Sequence, residues 1–208
     1  MDRIYLCDIR ELLNLEGAEL LTQARRERMT RFLRREDQAR CLAAGLLLRR
    51  GLGKENAQKV TLTPFGKPYL REGPSFNLSH SGNKVVLLVG ERDAGVDVEQ
   101  IAPYHPAVAR KVFTAREQDW LKNQRETSAF YRLWTGKESV MKALGLGFRL
   151  PPESFEISPE ELVSNLVLGK TWFLRWQEID GHMLCSASCS ADINPELIFL
   201  TKEELLQF

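Results

Sequence analysis

No apolar run in the sequence approaches the roughly 18 residues that a membrane-crossing helix needs, so no span is expected. The opening residues, MDRIYLCDIRELL, lack the basic start and apolar stretch of a secretory signal, and a cytoplasmic location is the expectation. An excess of one charge is also missing. Lys and Arg number 29 against 28 Asp and Glu in 208 residues, which argues against a dedicated nucleic-acid binder with its strong basic excess. The P-loop pattern Gly-x-x-x-x-Gly-Lys-Ser/Thr does not occur. Neither does the Gly-x-Ser-x-Gly elbow, so a Ser–His hydrolase built on Ser79, His80 and Ser81 finds little support. Cysteines number only four. Cys185 and Cys189 lie in a stretch that reads as a strand, where about 3.3 Å per residue separates their Cα atoms by roughly 13 Å, beyond disulfide reach. No second Cys/His pair completes a zinc site. Free thiols suit a reducing compartment. Repeats and low-complexity segments are absent as well.

What remains is enough chain for one large domain or two small lobes. RIYLCDI reads as a first strand, and Ala18 to Arg50 as helical, stopped by Gly51 and Gly53. TPFGKPYLREGP is a turn-rich connection. SFNLSH, KVVLLVG and GVDVE are strand candidates, and the two prolines of IAPYHP suggest a lobe boundary. Thr114 and Glu117 have the spacing of a capping box. Ser128 is placed to cap a helix that runs to about Leu144 and stops at Gly145. SFEIS, TWFLRWQEI, MLCSASCS and LIFLT read as strands, with Asp180-Gly181 as a hairpin turn. Helices with a mostly antiparallel strand set in each half make the fold class α+β.

Several positions carry chemistry. In GVDVEQ, Asp97 and Glu99 share one strand face while Val96 and Val98 face the other, toward a core. Adjacent carboxylates repel unless a cation lies between them, and oxygen donors of this kind suit Mg²⁺. On the helix LWTGKESVMKALGLG, Glu138 and Lys142 project from one face, an i,i+4 spacing that an ordinary ion pair also explains. Lys137 points about 100° away round the helix, and Trp134 could pack beneath Glu138. Gly66 and Pro68 fix a turn that presents Lys67. On FNLSH the alternation places His80 with the apolar set, Phe76 and Leu78, while Ser79 falls on the opposite face with Asn77. Ser79, His80 and Ser81 end that strand, where hydroxyls, imidazole and backbone N–H groups can gather round a phosphate. In RRERMTRFLRRE, Arg25 and Arg28 share a helical face and could clamp a phosphate or simply be solvated. Each feature alone also has an ordinary structural reading.

The order GKP, FNLSHS, GVDVE, FTxxE, WxxKESxxKxxGxG closely resembles the 4′-phosphopantetheinyl transferases of the two-lobed, surfactin-synthetase-activating type, over nearly the whole chain. The resemblance implies two similar α/β lobes related by a pseudo-twofold, residues 1–101 and 102–208, with coenzyme A and Mg²⁺ in the cleft between them. It implies transfer of the 4′-phosphopantetheine arm of coenzyme A to a serine of an apo acyl, peptidyl or polyketide carrier protein, releasing adenosine 3′,5′-bisphosphate. Asp97, Glu99 and Glu138 would be the metal ligands. Glu138 first, or Glu99, would take the serine proton, and Lys142 would contact the α-phosphate. Lys67, Ser79 and His80 would hold the nucleotide and its phosphates. Arg25 and Arg28 would hold the 3′-phosphate, with Arg40 and Cys41 in the adenine-contacting segment. Glu117 matches an acidic position of the family, though its capping box already explains it. A chain holding both lobes is expected to work as a monomer. Arg110, Lys111 and Lys122, flanking Phe113 and Trp120, are a candidate surface for an acidic carrier. A generic Mg²⁺-dependent phosphotransferase, a noncatalytic relative and a plain interaction module are the competing readings.

Overall fold

Both ends of the chain meet in one sheet. The computed structural model describes residues 2–91 and 93–207; residues 1 and 208, the outer limits of the expected lobes, and residue 92 lie outside them. In chain order the elements are β1 (Arg3–Asp8), α1 (Gln23–Thr30), α2 (Arg35–Leu52), α3 (Lys54–Lys59), β2 (Thr61–Leu62), β3 (Pro68–Tyr69), β4 (Ser75–Ser81), β5 (Lys84–Gly90) and β6 (Ala94–Gln100). Then follow α4 (Pro106–Val112), α5 (Ala115–Lys122), α6 (Ser128–Leu144), β7 (Asn165–Val167), β8 (Lys170–Ile179), β9 (His182–Ser188), β10 (Glu196–Phe199) and α7 (Lys202–Leu206). The first sheet runs β10-β1-β5-β4, the second β6-β9-β8-β7, and β2 with β3 forms a short ribbon. Pairing is antiparallel except for β10 beside β1, which is parallel.

Strand periodicity explains the layering. On β1 and β5, Tyr5, Cys7, Val85 and Leu87 face one way and pack against Leu42, Leu46 and Leu47 of α2. Ile4, Leu6, Val86 and Leu88 face the other way and meet Val96, Val98 and Leu184 of the second sheet. These strands read as continuous apolar runs because both faces are covered. The outer face of the second sheet is covered by α6, through Leu133, Val140 and Met141. Each fully buried leucine of this kind stabilises the fold by about 1.5–3 kcal/mol.

Several expectations need correction. The span from Ala18 to Arg50 is not one helix. It breaks between Thr30 and Arg35, and α1 folds back onto α2. Arg25 and Leu21 lie over Gly45, where a Cβ would stand 2.6 Å from the arginine stem and 2.3 Å from the leucine. The Gln38 amide donates to the Phe32 carbonyl that the break leaves open (2.9 Å). Gly51 does not stop α2. It sits inside the helix, where a Cβ would stand 2.6 Å from Leu87, so the glycine lets helix and sheet approach. Pro106 opens α4 at its first helical position, where a proline has no N–H to lose. Ser128 is the first residue of α6 and provides no side-chain cap.

SFEIS is not a strand. Its neighbourhood carries a short 3₁₀ turn at Pro152–Ser154, and its backbone groups are taken by buried side chains. Lys137 Nζ donates to the carbonyls of Pro152 (2.8 Å) and Phe155 (2.5 Å), and Ile157 N–H donates to Glu117 (2.9 Å). The strand from LIFLT, β10, joins β1 rather than the sheet of its own half. The capping box at Thr114, the stop at Gly145 (φ 72°) and the Asp180-Gly181 turn (φ 45° and 69°) are present.

Candidate active site

The first sheet ends at β4 and the second at β6, and these two edges meet without a backbone ladder. Side chains of β4 replace it. Asn77 Oδ1, Ser79 Oγ and Ser81 Oγ accept from the N–H groups of Val96 (3.2 Å), Val98 (3.3 Å) and Gln100 (3.1 Å). The face of β4 opposite Phe76 is therefore buried at this corner, with Asn77 and Ser79 about 5% exposed. His80 opens to solvent instead of joining Phe76 in the core.

Beside this corner lies a cleft of about 760 Å³. Arg25, Arg28, Arg40, Cys41, Ser79, His80, Asp97, Glu99, Glu138 and Lys142 all line it. Residues from α1, α2, β4, β6 and α6 thus converge. Lys67 does not line this cleft. Its amine turns away and donates to the Ala143 carbonyl (2.7 Å), which fastens the β2–β3 turn to the end of α6. Burial lowers the Lys67 pKa.

Asp97 is buried, and its Oδ1 accepts from Lys142 Nζ (2.6 Å) and Ser79 Oγ (2.7 Å). The i,i+4 ion pair foreseen between Glu138 and Lys142 is replaced by this contact between α6 and β6. Glu99 Oε2 accepts from Ser81 Oγ (2.6 Å). Burial pushes the Glu99 carboxyl above its usual range, and the Asp97 charge adds to the shift. Glu138 is pushed further, up to about 7, by burial and by Asp97, with Lys142 opposing. Repulsion among these acids favours any cation that can reach them. Asp97 Oδ2 is buried without a hydrogen-bond partner. An all-oxygen set with one vacant carboxylate oxygen fits a hard divalent cation. The acids do not close on a common point: among the described residues no group of three or more His, Cys, Asp or Glu side chains stands arranged to hold a metal ion.

The same cleft holds three arginines. Arg25 is half-buried beside Cys41, whose carbonyl accepts from its guanidinium (3.4 Å), and Arg28 is exposed. Arg40 donates to the Gly82 carbonyl (2.9 Å) and to Asp37 (2.6 Å). Crowding by protein, then Lys142 and Arg40, lowers the His80 pKa. Asp37 and Trp134 also line the cleft and were missed as site residues. The i,i+3 spacing of Asp37 to Arg40 was the available signal for the first. The second was expected only as packing.

Two expected residues belong to the support. Glu117 and Lys137 form a buried ion pair (2.8 Å), and Glu117 also closes the capping box. This pair ties α5 and the 152–157 segment beneath the helix that carries Glu138. Phe113 of the candidate carrier surface is buried, so it offers no docking contact, while Arg110, Lys111 and Lys122 are exposed. Among the described residues no helix is long and apolar enough to cross a membrane.

Comparisons with known proteins agree with one another. The model of the 4′-phosphopantetheinyl transferase superfamily matches residues 93–191. The chain is 33% identical over 143 residues to a 4′-phosphopantetheinyl transferase of Bacillus subtilis, 64% of each chain, so it spans just under two thirds of that relative. It is 27% identical over 201 residues to the 4′-phosphopantetheinyl transferase Sfp of Bacillus subtilis (strain 168), covering 89% of this chain and 90% of that one. A similar likeness, 27% over 194 residues, 76% of this chain and 63% of the relative, extends to the L-aminoadipate-semialdehyde dehydrogenase-phosphopantetheinyl transferase of Homo sapiens.

Proposed function

The chain belongs to the 4′-phosphopantetheinyl transferase superfamily, and on that premise we propose that it moves the phosphopantetheine arm of coenzyme A to a serine of an apo carrier protein. The observation that carries the reading is one cleft lined by three arginines together with three carboxylates and Lys142. A pyrophosphate and a separate 3′-phosphate need that many cationic groups beside acids able to hold a metal.

Arg25 and Arg28 bind the 3′-phosphate, and Arg40 and His80 steady the nucleotide. Lys142 binds the α-phosphate after leaving Asp97. Asp97, Glu99 and Glu138 would hold Mg²⁺, which would supply neutralisation of the pyrophosphate charge. The serine hydroxyl of the carrier attacks the β-phosphorus. A new serine O–P bond forms, and the bond from that phosphorus to the bridging oxygen breaks. Adenosine 3′,5′-bisphosphate leaves with the bond electrons. Glu138 accepts the serine proton, with Glu99 as the alternative base. Lys67 acts indirectly, by fixing the turn against α6.

The reading includes two similar lobes about a pseudo-twofold, 1–101 and 102–208, that exchange β6 and β10 across the boundary. It also includes a monomer acting in the cytoplasm on acyl, peptidyl or polyketide carriers. One experiment tests the activity: incubation with coenzyme A, Mg²⁺ and apo carrier, followed by intact-mass measurement. A gain equal to one phosphopantetheine supports it, and an unchanged carrier overturns it.

A further inference from the structure

Ser79 and Ser81 make the same two contacts one repeat apart. Ser79 Oγ accepts from Val98 N–H (3.3 Å) and donates to Asp97 Oδ1 (2.7 Å). Ser81 Oγ accepts from Gln100 N–H (3.1 Å) and donates to Glu99 Oε2 (2.6 Å). The strand period of two puts both serines on one face of β4 and both acids on one face of β6, so the rung is built twice in register. Asn77 extends the series, accepting from Val96 N–H (3.2 Å).

A hydroxyl has one donor and two acceptor positions. Ser79 uses all three, because its second lone pair accepts from Lys142 Nζ (2.8 Å). It keeps no hydrogen to donate to a phosphate. Ser81 also spends its only donor on a carboxylate. A phosphate oxygen is an acceptor and needs donors; both hydroxyls are already committed.

We infer that the hydroxyls of Ser79 and Ser81 position the carboxylates of Asp97 and Glu99, and that neither hydroxyl donates to the nucleotide. This rests on the transferase reading above and assigns these hydroxyls a different role from the one the resemblance implies for Ser79. The clamp joins the two sheet edges and fixes the carboxylates' direction with the same atoms. Rotation of either acid toward a neighbouring sheet face would leave its serine hydrogen without an acceptor at a largely dry corner.

The test uses Ser81, the less buried of the two, as Ser81→Ala and Ser81→Thr. Three readings are taken: affinity for Mn²⁺ by calorimetry, affinity for adenosine 3′,5′-bisphosphate without metal, and steady-state transfer. Loss of an outer hydrogen-bond partner typically weakens metal binding or activity about 10–100-fold. The expected result for Ser81→Ala is a kcat and an Mn²⁺ affinity reduced at least about tenfold. Bisphosphate affinity and coenzyme A KM should stay within about twofold of wild type, and the threonine variant should restore both losses by returning the hydroxyl. Weakened bisphosphate binding with unchanged Mn²⁺ affinity would overturn the inference and return the serine to the nucleotide. Unchanged values throughout would also overturn it. If wild-type protein modified no carrier, the transferase reading would fall, while the Mn²⁺ titration would still judge the clamp.

Discussion

Gly95 of β6 lies so close to α6 that a Cβ on it would stand 1.9 Å from the Ser139 carbonyl oxygen and 2.8 Å from the Ala143 nitrogen. That approach sets the distance between Asp97 on the strand and Glu138 and Lys142 on the helix. Gly95→Ala would force the helix off the sheet. Overpacking of this kind costs about 3 kcal/mol, and the shift would separate Lys142 from Asp97. Urea denaturation should show the loss, and transfer by the folded fraction should fall as well. A variant with wild-type stability and rate would refute the assignment.

Glu138→Gln should separate activity from stability. The glutamate has a folded pKa of about 7 against 4.5 for its ordinary value. Between those values the folded state holds more protons than the unfolded chain, so stability falls as pH rises through that window. The loss is complete above pH about 7. Replacing the acid removes it, a gain on the order of 1–2 kcal/mol at pH 8 after solvent screening. At pH 4 the gain should vanish, because the wild-type carboxyl is then protonated in both states. Transfer should be abolished at every pH. Melting curves at the two pH values and a carrier mass assay check both halves.

Asp97→Ala should remove metal binding together with activity. The vacant Oδ2 and the contact to Lys142 both disappear. The expected transfer rate is at least about 100-fold lower, as when a charge-stabilising group is removed. Calorimetric titration with Mg²⁺ decides the matter, since an unaltered binding isotherm would take Asp97 out of the ligand set.

The pair Glu117–Lys137 should matter to folding more than to chemistry. Both side chains are 2% exposed or less. Breaking a buried pair from one side costs about 3–5 kcal/mol, because an uncompensated charge stays behind. Lys137→Met should lose that much by urea denaturation. Adding Glu117→Gln should recover part of it, since no bare charge then remains. A single variant no less stable than the double would contradict this account.

Much of the machinery was legible in the chain. The strands at Ser75–Ser81 and Ala94–Gln100 were marked by their alternation, α5 by its capping box, and the end of α6 by Gly145. Most of the residues lining the cleft were named through the family resemblance that the motif order carries. The sequence misled where backbone groups found unusual partners. SFEIS alternates like a strand, yet Lys137 and Glu117 take its hydrogen bonds. Lys67 sits in an exposed-looking turn, yet its amine caps the end of α6.

Local periodicity determined the elements and which side chains share a face, because helix and strand repeats are properties of a few neighbouring residues. It also carried the types and order of the groups that chemistry would need. The choice of partners was decided only in three dimensions. Lys142 reaches Asp97, 45 positions away, instead of Glu138 on its own helix, because a glycine lets α6 lie directly on β6. Ser79 and Ser81 turn to carboxylates because two sheet edges meet there without a ladder. Such pairings depend on which surfaces pack together, and no short stretch of sequence encodes that.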